Sequence, residues 1–377
     1  MRHISFYPVL FFLLVQCSAA QVNADSSKAA MQRGAIKYSM GNYQDARRDF
    51  SRAIEFDPNN AEAYNHRGNA LYMLENIQGA INDFSEAIRL APKMATAWNN
   101  RGMLYHALKN YEEAASDYDA AIKLDDAFTQ AYYNRGRLKY DLGEYAKAIQ
   151  DFSKVLSIEP DNIDASYNRS MAYSSIGKNK EAIKDMNAVV KSKPNDIDAL
   201  INRGFMRLTS NDAKGAAADF QRAIDLDSSS SRGWFNRGDA RLAMRQYKGA
   251  ISDYTEAIKR DPKLANAYNN RGMAKYNLKD KAGAMKDYNE ALNADPRNPN
   301  ALYNRAGMYL ERNDPTAALA DYSEATKQNP RDGRAWFGRA LSLLKLDRTE
   351  EACSDLGKAA GLGIKEAGEY RKKLCSK

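Results

Sequence analysis

Small, apolar and charged positions return along this chain with a period of 34 residues, and that period sets the elements. Arginine stands at Arg33, Arg67, Arg101, Arg135, Arg169, Arg203, Arg237, Arg271, Arg305 and Arg339. A small residue follows each one, glycine in seven cases and otherwise Ser170, Ala306 and Ala340. Thirteen residues beyond each arginine lies an alanine, from Ala46 and Ala80 to Ala352. Three further on lies an aspartate, from Asp49 to Asp355. Ten copies without insertion or deletion exclude chance and mark a repeat architecture.

Each copy reads as two helices. Over residues 265–298, Ala265 to Gly272 opens the first, Ala284 to Tyr288 sits in the second, and Asp295-Pro296 closes the copy. Proline lacks the N–H that a helix interior needs, so it belongs at boundaries. It stands there in seven copies, as Pro58, Pro92, Pro160, Pro194, Pro262, Pro296 and Pro330. Asn313-Asp314-Pro315 reads as a capped helix start. Gly272 and Ala284, twelve apart, are expected opposite each other, with Tyr268, Tyr288 and Leu292 filling the space beside them. One hairpin cannot bury its own apolar face, so each must stack on the next. The serine run Ser228 to Ser231 replaces the boundary proline and reads as a solvated turn or, more sharply, as a hinge.

These residues resemble the tetratricopeptide repeat family, whose pattern appears here as Trp98, Arg101-Gly102, Tyr105, Ala114, Tyr118 and Ala121. Trp234 and Trp336 share the phase of Trp98, and arginine replaces the family's usual leucine. The resemblance implies an all-α, right-handed superhelical solenoid with a long groove lined by the first helices. Its ten repeats would occupy 27–60, 61–94, 95–128, 129–162, 163–196, 197–230, 231–264, 265–298, 299–332 and 333–366. A capping helix over 364–377 would overlap the last of them.

Composition changes this picture little. Apolar residues at 44% and charged residues at 28% suit a helical chain with a continuous core. The net charge of +8 comes from interleaved signs, 56 basic and 48 acidic, where a nucleic-acid binder would cluster its cations. No nucleic-acid partner is expected.

The N-terminus reads as an export signal over residues 1–20. Arg2 and His3 precede a mostly apolar run from Ile4 to Val15, and Ser18-Ala19-Ala20 supplies small residues for cleavage. Cleavage after Ala20 is preferred, with Ala24 second, and residues 21–26 would form a short linker. Twelve apolar residues fall short of the roughly 20 needed to span a bilayer, so no transmembrane segment is expected in the mature protein. Lipid attachment at Cys17 is a lesser alternative, because Gln16 stands where a small residue is wanted. The expected location is periplasmic or secreted.

The recurring polar residues have two readings. Antiparallel pairing within a repeat would join an arginine to the aspartate sixteen residues later, as Arg67–Asp83, Arg101–Asp117, Arg135–Asp151, Arg203–Asp219, Arg237–Asp253 and Arg271–Asp287. Pairing between neighbours would join an aspartate to the arginine eighteen residues later, as Asp83–Arg101. Either makes a structural ion-pair ladder. Before the arginine stand Asn100, Asn134, Asn168, Asn202, Asn236, Asn270 and Asn304. In the family, asparagines at this place can hold the backbone of an extended peptide, and an amide offers both donors and an acceptor. The family's carboxylate clamp is not expected, since Asn65 and Asn69 lack their basic partners.

His66 and His106 lie in different repeats without clustered ligands, and no phosphate loop, HExxH or GxSxG occurs. No metal, cofactor or catalysis is expected. Cys353 and Cys375 are the two cysteines left after cleavage and are expected to bond, stapling the cap onto the open end. The function expected is an exported scaffold binding protein or peptide partners through the first-helix groove. The alternative is a component of envelope polysaccharide export or assembly. Tyr64, Trp98, Tyr132 and Trp234 are the rings that would stack on sugars, although in the family rings at this place more often pack in the core. Nothing in the pattern supports self-association.

Overall fold

The computed structural model describes residues 7–375, with side chains from residue 23 onward. Among the described residues there are twenty-one α-helices and no strand. They fall into two compact units, residues 1–188 and 189–377, divided inside α10 (Asn179–Ser192). The first helices of unit one are α1 (Tyr7–Ser39), α3 (Ala61–Met73), α5 (Ala95–Ala107), α7 (Thr129–Asp141) and α9 (Ile163–Ser175). Its second helices are α2 (Tyr43–Phe56), α4 (Ile77–Leu90), α6 (Tyr111–Leu124), α8 (Tyr145–Ile158) and α10.

In unit two the first helices are α11 (Ile197–Thr209), α13 (Ser231–Ala243), α15 (Ala265–Asn277), α17 (Pro299–Glu311) and α19 (Gly333–Leu344). The second helices are α12 (Ala213–Leu226), α14 (Tyr247–Arg260), α16 (Lys281–Ala294), α18 (Pro315–Gln328) and α20 (Thr349–Gly361), and α21 (Lys365–Leu374) closes the chain. From α1 to α9, and from α11 to α21, each helix packs on the next in chain order, which is a solenoid of helical hairpins. Neighbouring first helices also touch, as α5 with α7 and α15 with α17, and so form one face of each unit.

The glycine after the arginine is required by an aromatic ring. A Cβ on Gly204 would stand 2.5 Å from the Phe220 ring, and one on Gly136 would stand 2.8 Å from Phe152. The expected opposition of Gly272 and Ala284 is present, with the Ala284 carbonyl 3.2 Å from such a Cβ, but the Tyr288 ring is closer at 2.8 Å. Where the ring is replaced by the buried Met186, serine is tolerated, and Ser170 Oγ donates to the Ala182 carbonyl at 3.0 Å. The ring is thus the reason for the glycine; the exception is Tyr322, where Ala306 stands at the usual place and the ring lies against Gly338 of the next repeat.

Every turn inside a hairpin places one residue in the left-handed region. Only Gly41, Gly143 and Gly177 are glycines there; Glu75, Lys109, Asn211, Arg245, Lys279, Asn313 and Asp347 are not. A non-glycine pays about 1–2 kcal/mol for that conformation. The turn returns hydrogen bonds to the helix end, as Lys109 N to His106 O and Asn110 N to Tyr105 O, both 2.9 Å. At Asn313-Asp314-Pro315 the expected start is present: α18 begins with Pro315, and the Asp314 side chain accepts from Ala317 N at 3.0 Å. The serine run is bonded too, with the Ser228 carbonyl accepting from Trp234 Nε1 at 3.1 Å and Ser230 capping α13.

The ends differ from the internal repeats. The export segment expected over 1–20 begins outside the described residues, and the side chains of Cys17 and Ala20 also lie outside them. Residues 21–26, expected as a linker, continue α1 instead, since Gln21 to Ser26 includes neither proline nor glycine to break a helix. Among the described residues no helix is long and apolar enough to cross a membrane. At the other end Gly363, at φ 91°, turns the chain into α21. Ala367 is buried, Tyr370 meets Phe337 edge-on at 5.7 Å, and a disulfide joins Cys353 to Cys375 with Cα atoms 5.7 Å apart.

Candidate functional site

The arginine series is spent on structure. From Arg67 to Arg339, nine guanidinium groups fork onto the aspartate sixteen residues later. In each, Nε donates to Oδ2 at 2.6–3.0 Å and Nη2 to Oδ1 at 2.5–2.8 Å. The eighteen-residue register is not used, because Asp83 takes Arg67 while Arg101 takes Asp117. The remaining Nη1 reaches back into the preceding repeat, as Arg67 to Ser51, Arg101 to Ser85 and Arg271 to Thr255. In five repeats a second cation, four residues after the arginine, joins the aspartate of the same repeat: Lys37 on Asp49 at 2.6 Å, and Lys139 on Asp151, Arg207 on Asp219, Arg241 on Asp253 and Lys275 on Asp287, each at 2.8 Å. Sequence reasoning missed this second cation, although its fixed offset from the arginine was visible.

The same arginines cover the aromatic candidates. Guanidinium carbons lie 5.3 Å from the ring centre of Tyr64, 5.1 Å from Trp98, 5.4 Å from Tyr132 and 4.9 Å from Trp234. Trp98 Nε1 donates to the Pro92 carbonyl at 3.0 Å. Each of these rings therefore has a face stacked under a cation, which leaves them poorly placed as sugar platforms.

The asparagine series joins one first helix to the one before it. Asn100 Nδ2 donates to Asn65 Oδ1 and Asn69 Oδ1 at 3.2 Å, and Asn134 Nδ2 to Asn99 Oδ1 at 2.9 Å. Asn168 reaches the Tyr133 hydroxyl at 3.0 Å, Asn270 reaches Asp239 at 2.9 Å, and Asn304 reaches Asn269 at 2.8 Å. Asn202 and Asn236 sit half-buried at the same place on α11 and α13. The amide N–H groups thus hold repeats together; the Asn270 oxygen accepts from Asn269 at 3.0 Å, while those of Asn168 and Asn304 keep acceptor capacity on the first helices.

Two cavities open on that face. In unit one, a cavity of about 420 Å³ between α5 and α7 is lined by Met103, His106, Tyr118, Asn134, Arg137 and Asp141. His106 Nε2 pairs with Asp141 at 2.9 Å across the two helices. The Tyr118 hydroxyl is buried and has no hydrogen-bond partner among the described residues, and burial raises its pKa. In unit two, a cavity of about 360 Å³ lies between α15 and α17. There the Tyr276 hydroxyl donates to Glu311, the place in the repeat that His106 and Asp141 occupy in unit one, and Lys281 Nζ holds the same carboxylate at 2.7 Å. These bonds, from Lys281 first, hold the Glu311 carboxyl below its ordinary range. His66 is elsewhere, stacked on Phe50.

Family models of the tetratricopeptide repeat match residues 61–94, 95–128, 129–162, 163–196, 235–299 and 303–366, and a TPR repeat model matches 34–75. The chain belongs to the tetratricopeptide repeat family. It is accordingly a protein-interaction scaffold, on a fold that is typically non-catalytic. No curated protein matches the chain. Among solved structures, this tetratricopeptide repeat chain is similar to a MamA protein at 24% identity, covering 45% of this chain and 92% of that one, with a TM-score of 0.43. A tetratricopeptide repeat protein from Parabacteroides merdae is 20% identical over 66% of this chain and 99% of its own, at 0.46. Yeast Tom70 is 13% identical over 92% and 95%, at 0.47. At these scores the likenesses carry no functional inference.

One half-buried carboxylate of the first-helix face stands apart from the ladder. Asp239 on α13 accepts from the Tyr254 hydroxyl at 2.7 Å and from Asn270, both on Oδ1, and no cation joins it. Burial raises its pKa, and the two hydrogen bonds oppose that rise without cancelling it. A raised carboxyl pKa means the folded state binds the proton more tightly than the unfolded state. Stability is therefore present below the unfolded value of about 3.9 and is lost as pH rises through the folded value. Asp239→Asn keeps the acceptor oxygen and removes the charge. It is expected to raise the thermal midpoint at pH 7 and to lose that advantage below about pH 4. Equal midpoints for parent and variant at pH 7 would show that Asp239 costs nothing.

Proposed function

We propose that this chain is an exported adaptor that holds an extended segment of a protein partner against its first-helix face. The observation that carries the reading is the pair of cavities on that face, built from first-helix residues of successive repeats in both units. At the repeat phase of Met103 and Met273, which line the two cavities, α11 carries Phe205, 58% exposed. The arginine and aspartate series is consumed inside the stack, so recognition falls to the first helices. Pockets at the same phase of the repeat, with asparagine oxygens on the first helices, suit an extended chain that binds through many weak contacts. Export is supported by the Ile4 to Val15 run with Ser18-Ala19-Ala20, and by the disulfide, a bond that persists in oxidising compartments. A periplasmic or secreted location follows from this reading, with no cofactor and no nucleic acid.

The test is photo-crosslinking with the full chain in its native envelope or secretory fraction. A photoreactive residue is placed at Phe205 on the first-helix face or at the exposed Lys259 on α14. Protein adducts formed from Phe205 and not from Lys259 are the expected result. Adducts from Lys259 alone would move recognition to the second helices and end the proposal.

A further inference from the structure

Gly307 lies inside α17 with no packing reason to be glycine. Helix-interior glycine costs stability, and the glycines that follow the repeat arginines are explained by rings that a Cβ would strike. A Cβ on Gly307 would meet only the Tyr322 hydroxyl, at 3.6 Å, an ordinary contact. Every other repeat carries a side chain at this place, among them Ala35, Met103, Phe205 and Met273. What the missing side chain leaves is the floor of the unit-two cavity. The neighbouring pattern is also altered. Ala306 replaces the usual glycine, and Gly338 replaces the asparagine of the next repeat, where a Cβ would fall on the Tyr322 ring.

The lining has one chemical character. Four tyrosines, Tyr276, Tyr288, Tyr303 and Tyr322, surround the space with Asn304 and Glu311. No lysine or arginine lines it, although Tyr303 already carries the Arg334 guanidinium 5.1 Å from its ring centre, which leaves the other three rings. The Asn304 N–H is spent on Asn269, which leaves its oxygen. Tyr288 and Tyr322 are both almost buried, and that burial raises the pKa of their hydroxyls. Glu311 is oriented by Tyr276 and by Lys281, whose side chain is more than half exposed outside the cavity. Aromatic faces with dispersed acceptors and a fixed carboxylate fit a planar cation carrying several donors.

We infer that this cavity receives an arginine side chain of the partner segment, with its guanidinium between tyrosine faces and bonded to Glu311 and the Asn304 oxygen. The inference rests on the proposed first-helix face and names one pocket of it. Lysine fits less well, since a compact ammonium cannot stack or reach several acceptors in one plane. Lys281 competes for Glu311 from the rim.

The experiment titrates the full chain with the blocked tripeptide acetyl-Gly-Arg-Gly-amide and follows the methyl signals of Met273 and Met308, which line the cavity. Saturable shifts at both are expected. The neutral citrulline tripeptide and the lysine tripeptide are expected to bind at least about ten-fold more weakly, a fold-change within reach of desolvated cation contacts. Gly307→Met, which fills the floor, is expected to abolish the shifts without lowering the thermal midpoint. Lys281→Met is expected to strengthen binding, where an anion pocket would be weakened. No saturable shift, equal binding of the citrulline or lysine peptide, or unchanged binding to folded Gly307→Met would each overturn the assignment. Adducts at Phe205 in the crosslinking test would then still leave the face reading intact, so the two failures are distinguishable.

Discussion

Replacing Asp253 with alanine is expected to destabilise the protein by about 3–5 kcal/mol, because it strands two cations inside the stack. Asp253 is fully buried and accepts from Arg237 at 2.5 and 3.0 Å and from Arg241 at 2.8 Å. Arg237 is itself buried, and it also donates to Gln221 in the preceding repeat. Deleting the carboxylate leaves its donors without their acceptor in a site that water does not readily enter. The matched control is Asp45→Ala on α2, whose half-exposed side chain meets an exposed Arg48 at 3.4 Å. A surface pair of that kind is worth roughly 0–1 kcal/mol. Urea unfolding followed by circular dichroism compares the two. Because a repeat stack can lose repeats locally, hydrogen exchange on α13 and α14 is read beside it. A loss below about 1 kcal/mol at Asp253 would mean the ladder is solvated in solution.

The second large effect is expected at the cap. The disulfide closes a loop of 22 residues, and in the chain-entropy account a loop of that order contributes about 3 kcal/mol. What it holds is small. α21 has ten residues, buries Ala367, and rests on Phe337, Ile364 and the end of α20. Cys353→Ser with Cys375→Ser is therefore expected to release α21 and to speed hydrogen exchange across α20, with far less change in α11 to α16. Reductant should make the parent behave like the double variant and leave the variant unchanged. If α21 stays protected in the variant, helix packing alone closes the stack and the bond is dispensable.

Much of the architecture was legible because it is periodic. A fixed offset repeated ten times constrains register far more tightly than any single motif, so Arg67 with Asp83 could be named as a candidate pair from spacing alone. The choice between that pair and Asp83 with Arg101 could not be made, since both distances suit antiparallel helices. Asn134 shows the limit differently. Its phase suggested a ligand-facing amide, yet its N–H is directed at Asn99 of the neighbouring first helix. The second cation on the ladder was equally regular, but a lysine four residues from an arginine on a helix also reads as a solvated face.

By itself, the sequence determined the ten hairpins, the helix boundaries marked by proline and capping residues, the small residues that close helices need, and the two cysteines that could meet at the end. These are consequences of local backbone preference and of a strict period, both of which are written along one dimension. Only the tertiary structure decided which carboxylate each arginine holds, that the asparagines join first helices, and that the glycine after the arginine answers a ring sixteen residues away. It also separated Gly307, which answers no ring, from the glycines that do. Those distinctions depend on distances between side chains of different helices, and one-dimensional spacing does not contain them.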